Sequence, residues 1–147
     1  MHIAVRKLVP SDRLQWEPLW KGYLAFYETD LPASVTETTW ARFHDDREPM
    51  WAYGAFAGAR MVGIAHIILQ RSCWSDGPYC YLQDLFTAEG ARGQGVGSSL
   101  IENVRLVAQA MGASRLHWLT HETNAAAQAL YDRVATKSGF IQYRMIF

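Results

Sequence analysis

Between Ala91 and Leu100 the chain reads ARGQGVGSSL: an arginine, three glycines at alternating positions, two serines and then an apolar helical pattern. One chemistry available to such a stretch is phosphate binding. Glycines let backbone N–H groups approach a ligand closely, and the first turn of a helix offers unpaired donors at the positive end of its dipole. Arg92 adds a fork of donors at the same place. The other reading is a helix entry that merely needs positive φ. A phosphate-binding P-loop requires a lysine and then serine or threonine after its last glycine, whereas Ser98 and Ser99 follow Gly97 directly. A dinucleotide fingerprint requires a third glycine three positions after the second, where Ser98 stands, and the loop follows too much predicted sheet to belong to a first βα unit.

The elements that must carry this loop follow from periodicity. Ile3 and Val5 alternate in a short strand, and Ser11 or Asp12 offers an N-cap to the helix behind it. Trp16, Leu19, Trp20, Tyr23 and Tyr27 form one stripe of that helix, most simply core or groove wall. The pattern breaks at Pro32, and Ser34 with Glu37 in capping-box spacing starts a second helix bearing Trp40 and Phe43. From Met50 the chain is rich in β-formers, with a tight turn at Gly58, a second turn at Ser75 to Pro78 and a strand YCYLQDLFT. Leu100, Ile101, Val104, Ala108 and Met111 then keep helical spacing up to Gly112, a C-terminal cap. RLHWLTHE is predicted as a strand, Asn124 caps a helix through ALYDRVA, and FIQYRMIF is predicted as a final strand after Gly139. The order β, α, α, β, β, β, α, β, α, β describes one α/β domain over residues 1–147 with a mixed sheet.

On this frame LQDLFTAEGARGQGVGSSLIENV resembles the acetyl-CoA signature of the GCN5-related N-acetyltransferase (GNAT) superfamily: a strand, then Arg or Gln, two residues, Gly, one residue, Gly or Ala. WLTHETNAAAQALYDRVATKSGF resembles the second half of the same family, and the likeness is weak in the first half of the chain. The resemblance implies a mostly antiparallel sheet flanked by helices and splayed at the cofactor strand. It implies acetyl-CoA as co-substrate, with the pyrophosphate on the backbone of Arg92, Gly93, Gln94, Gly95, Val96, Gly97 and Ser98 and the pantetheine arm along Leu85, Phe86 and Thr87. Asn124 would contact the pantetheine, and Tyr131 would protonate the departing thiolate. Asn124 and Tyr131 lie two turns apart on one side of their helix. An ordinary tyrosine holds its proton at neutral pH and can deliver it to a thiolate within reach, although Leu130 and Val134 on the same helix read as core and a packed aromatic is the alternative.

Acetyl transfer also needs a neutral amine, and Asp84 is the best carboxylate to make one, unless it orients a neighbour or binds the substrate cation. Strand alternation lets only one of Gln83 and Asp84 face the side of Phe86. Some polyamine-acetylating relatives carry glutamate where Gln83 stands, which removes one usual base here. Glu28, Asp30 and Trp74 are loop residues suited to lining a cationic acceptor's pocket, and His121 lies near the cofactor cleft. His117 and His121 on one strand would be about 13 Å apart, too far for one metal ion, and no metal is expected.

With 14 basic and 14 acidic residues the chain lacks the charge of a nucleic-acid or anionic-membrane binder. The first residues carry no apolar signal stretch and no run reaches the length of a membrane span, so a cytoplasmic protein with free Cys73 and Cys80 is expected. No acidic tract would grip a basic tail, which favours a small-molecule amine or amino acid over a histone or other protein lysine. A CoA-binding module without turnover is the competing class. FIQYRMIF could pair or exchange across an interface, so a homodimer is left open.

Overall fold

Five strands form one sheet in the computed structural model, which describes residues 2–147, in the order β1 (Ala4–Lys7), β2 (Met50–Ala57), β3 (Arg60–Gln70), β4 (Tyr79–Thr87) and β5 (Arg115–His117). The first four are antiparallel neighbours joined in sequence order, and only β4 and β5 run parallel. A parallel step needs a crossover, which α3 (Val96–Ala110) supplies.

Residues of β2 and β3 are buried almost continuously, as expected where helices cover both faces of a sheet. On one face Leu100, Val104 and Ala108 of α3 pack on Ala65, Ile67 and Leu82. On the other, α1 (Arg13–Phe26) and α2 (Ala33–Phe43) bring Trp16, Trp20, Trp40 and Phe43 against Ile64. The aromatic stripe of α1 is therefore core at its N-terminal end, while Tyr23 and Tyr27 pass beyond the core toward a cleft.

Four sequence expectations change. Asp12 stands at the N-cap of α1, but its carboxylate takes both guanidinium nitrogens of Arg6 (2.8 and 3.0 Å) and the Val9 N–H (2.7 Å) instead of the helix amides. The capping box from Ser34 does not form: α2 starts after Pro32, and Glu37 pairs with Arg13 of α1. RLHWLTHE contributes only Arg115–His117 to the sheet, paired with Tyr79–Tyr81, so His121 lies outside the strand. FIQYRMIF forms no strand, because a strand exists only by pairing and none among the described residues receives it; Phe140, Ile141, Tyr143, Met145 and Ile146 are all exposed.

A β-bulge completes the frame. The β3–β4 register runs from His66 opposite Asp84 to Ile67 opposite Leu82, leaving Gln83 as the extra residue. Cys80 and Leu82 thus face α3, while Phe86, two residues past Asp84, joins the α1 cluster. Both cysteines are free, and burial pushes the Cys80 thiol up to about 11. Among the described residues no helix is long and apolar enough to cross a membrane.

Gly63 is where β3, β4 and the start of α3 meet most closely. A Cβ there would lie 2.6 Å from Val96 Cγ1 and 3.1 Å from the backbone oxygen of Phe86. Gly63→Ala is expected to lower stability by about 1–3 kcal/mol, read as a lower urea midpoint; an unchanged midpoint would show that this junction yields.

Candidate active site

The glycine loop owes its shape to two left-handed residues, Gly93 (φ +76°) and Gly95 (φ +82°), a region that costs an L side chain about 1–2 kcal/mol. Gly95 is the N-cap of α3, and the first helical bond runs from Ser99 N–H to Gly95 C=O (3.0 Å). The N–H groups of Val96, Gly97 and Ser98 therefore have no acceptor within the helix. A Cβ at Gly97 would stand 3.2 Å from Leu130, so the first turn of α3 packs against α4 (Ala125–Val134). Arg92 closes the same corner: its Nε is 3.5 Å from the Thr87 carbonyl, and its guanidinium lies over the rings of Phe26 (5.6 Å) and Phe86 (5.7 Å). This rim of amides with one arginine is chemically suited to an anion such as a pyrophosphate.

The neighbouring edge of β4 is open. Beyond Tyr81 it pairs with β3 on one side only, because β5 has ended, and Leu85, Phe86 and Thr87 lie along that splayed segment. Across the gap α4 presents Tyr131, and Asn124 Oδ1 caps this helix by accepting the Ala127 N–H (3.2 Å). A small cavity lies between, walled by Tyr23, Tyr27, Gln83, Leu85, Trp118 and Tyr131. Trp118 meets Tyr131 edge to face at 5.4 Å. Burial, and secondarily Tyr27, pushes the Tyr131 phenol up to about 12, so it is a proton donor throughout the neutral range. A wider adjoining recess is formed by Phe26, Tyr27, Glu28, His121, Thr123 and Asn124. There His121 Nδ1 accepts the Thr123 N–H at 3.2 Å.

The anticipated residues fall into three groups. Gln83, Leu85 and Tyr131 line the small cavity, Glu28, His121 and Asn124 line the recess, and the glycine loop borders them through Arg92 over Phe26 and Gly97 against Leu130. Asp84 lies below: it is 9 % exposed, lines neither space, and holds His66 Nδ1 at 2.8 Å through Oδ2. Asp30 and Trp74 are not brought to the cleft. Trp74, 79 % exposed, precedes the first residue of β4, whereas the cleft lies at that strand's far end. His117 stacks on Tyr81 (5.2 Å), and burial lowers its affinity for a proton. No group of three or more metal-ligating side chains occurs among the described residues.

Sequence reasoning missed Trp118 as a cavity wall, and the buried partners of Asp84. The stripe on α1 identified both tyrosines as groove candidates, but only tertiary packing shows that they overhang β4. His66 carried no signal, because its pairing with Asp84 depends on a register interrupted by a bulge.

A family model described as the acetyltransferase (GNAT) family matches residues 15–135. Over 144 residues, 97 % of this chain and 89 % of the relative, the sequence is 36 % identical to the D-amino-acid N-acetyltransferase HPA3 of Saccharomyces cerevisiae. Over 90 residues, 61 % of this chain and 52 % of the relative, it is 34 % identical to the thialysine N-epsilon-acetyltransferase of Bos taurus. Among solved structures, a probable acetyltransferase superposes with a TM-score of 0.84 at 25 % identity, covering 100 % of this chain and 98 % of the other. AAC(6')-Iy in complex with a bisubstrate analog, CoA-S-monomethyl-acetylneamine, shares the fold with a TM-score of 0.85 at 16 % identity, over 100 % and 99 % of the two chains.

The raised Tyr131 phenol has a measurable consequence. The unfolded chain ionises this tyrosine near 10, whereas the folded chain holds the proton to about 12. Its contribution to stability is therefore full below the unfolded value and is lost as pH rises through the folded one. A tyrosinate absorbance titration of the wild type minus Tyr131→Phe should show a transition near 12; a transition near 10 would contradict the burial argument.

Proposed function

The chain belongs to the acetyltransferase (GNAT) family of N-acetyltransferases, and from that premise we propose that it acetylates the primary amine of a small molecule, an amino acid being the favoured class. The observation that carries this reading is the convergence of unpaired amides, an open strand edge and a protonated tyrosine on one cleft. Two relatives named for D-amino acids and thialysine support the choice of acceptor. So does the cavity wall: the aromatic rings of Tyr23, Tyr27 and Trp118 suit an ammonium group, and Glu28 lies in the adjoining recess.

In this reading acetyl-CoA supplies an activated thioester, and the chain's own groups do the rest. The N–H groups of the glycine loop from Arg92 to Ser98 take the pyrophosphate, with the helix dipole behind them. Backbone N–H groups of the splayed β4 edge at Leu85 to Thr87 polarise the acyl carbonyl. Tyr131 gives its proton to sulfur, and its burial removes competing water. Asn124 holds the first turn of α4, and through it the position of Tyr131, besides its proposed contact with the pantetheine.

The acceptor test is a thiol-release assay over a panel of D- and L-amino acids, thialysine, polyamines and a histone peptide. Release with amino acids at the highest kcat/KM supports the reading. Preference for the peptide would replace the acceptor class, and acetyl-CoA binding with no release over any amine would leave a silent CoA module. For Tyr131→Phe, kcat is expected to fall at least about a hundredfold with acetyl-CoA affinity nearly unchanged, the pattern of a lost acid; an unaltered kcat would remove Tyr131 from that role.

We further propose a homodimer in which FIQYRMIF of one protomer adds to the sheet of its partner. The support is an apolar, strand-forming segment exposed along its length, together with a β5 paired on one edge only. Such surfaces associate unless covered. Light scattering on the eluting peak should give twice the chain mass for the wild type and one chain mass for Ile141→Lys; a monomeric wild type would overturn the assembly.

A further inference from the structure

Beneath the small cavity runs a chain of buried polar groups that an apolar core does not require. The Trp16 indole, fully buried, directs its N–H at His66 Nε2 (3.0 Å), and His66 Nδ1 lies 2.8 Å from Asp84 Oδ2. Phe43 at 4.5 Å and Trp20 at 5.2 Å wall the imidazole, which is 2 % exposed. Tyr23 lies above, with its hydroxyl 3.5 Å from the Gln83 carbonyl and its ring on the cavity wall shared with Tyr131.

The order of donors along this chain is dictated by one end. An indole nitrogen only donates, so His66 Nε2 must accept, and the imidazole proton resides on Nδ1 and is donated to Asp84. A second proton on Nε2 would point at the Trp16 N–H and leave a buried donor without an acceptor. The contact between His66 and Asp84 is therefore a neutral imidazole bonded to a carboxylate, not an ion pair of two charges. Three titratable groups face Asp84: His66 from β3, Tyr23 from α1 and Tyr81 from its own strand. Among the described residues no lysine or arginine forms an ion pair with it.

We propose that Tyr23 is a further catalytic residue, contacting the acceptor and passing its proton to Asp84, and that Trp16 and His66 are positioning residues that hold Asp84 as the receiving carboxylate. This deepens the acetyl-transfer reading and rests on it. The acceptor ammonium gives one proton to the Tyr23 oxygen as the Tyr23 hydroxyl proton moves to Asp84. Tyr23 ends neutral, the amine is free to attack, and Asp84 ends as a carboxylic acid that returns its proton to solvent by the same route after the product leaves. The second nitrogen proton, released on amide formation, balances the one Tyr131 delivers to sulfur. Burial and the nearby Asp84 charge both oppose ionisation of Tyr23, so it acts as a relay and not as the base itself.

The test uses the full-length protein with the best amino acid of the panel as acceptor. For Tyr23→Phe and Asp84→Asn, kcat/KM is expected to fall at least about tenfold near pH 7 and to converge on the wild type as pH nears the acceptor's own pKa, where free amine needs no base. Acetyl-CoA affinity should stay within about twofold. A deficit equal at every pH, or none, would overturn the relay, while failure of the wild type with every amine would instead sink the acetyl-transfer reading. Imidazole 15N spectra of the wild type, which need no turnover, should show His66 as the neutral Nδ1–H tautomer, and Trp16→Phe should release the Nε2–H form. An Nε2–H or doubly protonated His66 in the wild type would overturn the positioning roles.

Discussion

A strand has two hydrogen-bonding edges, and past Tyr81 β4 pairs along only one of them. This single constraint organises the functional half of the molecule. β5 pairs with Tyr79–Tyr81 and then stops, so the remainder of β4 borders a gap instead of a closed sheet. Two close contacts seat the elements around that gap: Gly63 admits Val96 of α3 against β3, and Gly97 admits Leu130 of α4. Side chains at those glycines would meet Val96 and Leu130 and shift α3 from its seat, so the cleft would lose its shape before it lost its chemistry.

The bulge at Gln83 adds a second effect to the same segment. It turns Leu82 into the α3 core and leaves Asp84 and Phe86 facing α1, so one short strand serves both the cleft and the buried polar chain under it. The cavity above has an aromatic wall and little room for water, which explains why its tyrosines hold their protons so firmly. Low polarity also strengthens each directed hydrogen bond that remains. In the proposed reaction, which takes a proton on one side and gives one on the other, two phenols that stay neutral and a carboxylate facing Tyr23 from below the cavity suit the task.

How much of this was legible in the sequence follows the range of the interactions concerned. The glycine loop, the helix behind it and the Asn124 to Tyr131 spacing are encoded within a dozen residues each, and they appear where periodicity and capping place them. The aromatic stripe of α1 was legible as a face, but not as two halves, because the division between core and cleft depends on where β4 ends its pairing. The His66 to Asp84 contact, the bulge and the short β5 arise from cross-strand register, which no local pattern specifies. FIQYRMIF has the alternation of a strand but no partner within the chain, and the capping box at Ser34 lost to a proline start and to the guanidinium of Arg13. Composition spoke only to what the surface lacks, and the acceptor lies beyond it.

Everything proposed for the cleft depends on the amides at the start of α3 and along the splayed β4 edge being the ones that hold acetyl-CoA. Residue-resolved amide hydrogen exchange, with and without acetyl-CoA, tests this most directly. Slowed exchange concentrated at Gly93 to Ser98 and Leu85 to Thr87, with the edge of β1 unchanged, is the predicted result. Protection absent from both segments, or appearing elsewhere on the sheet, would contradict it.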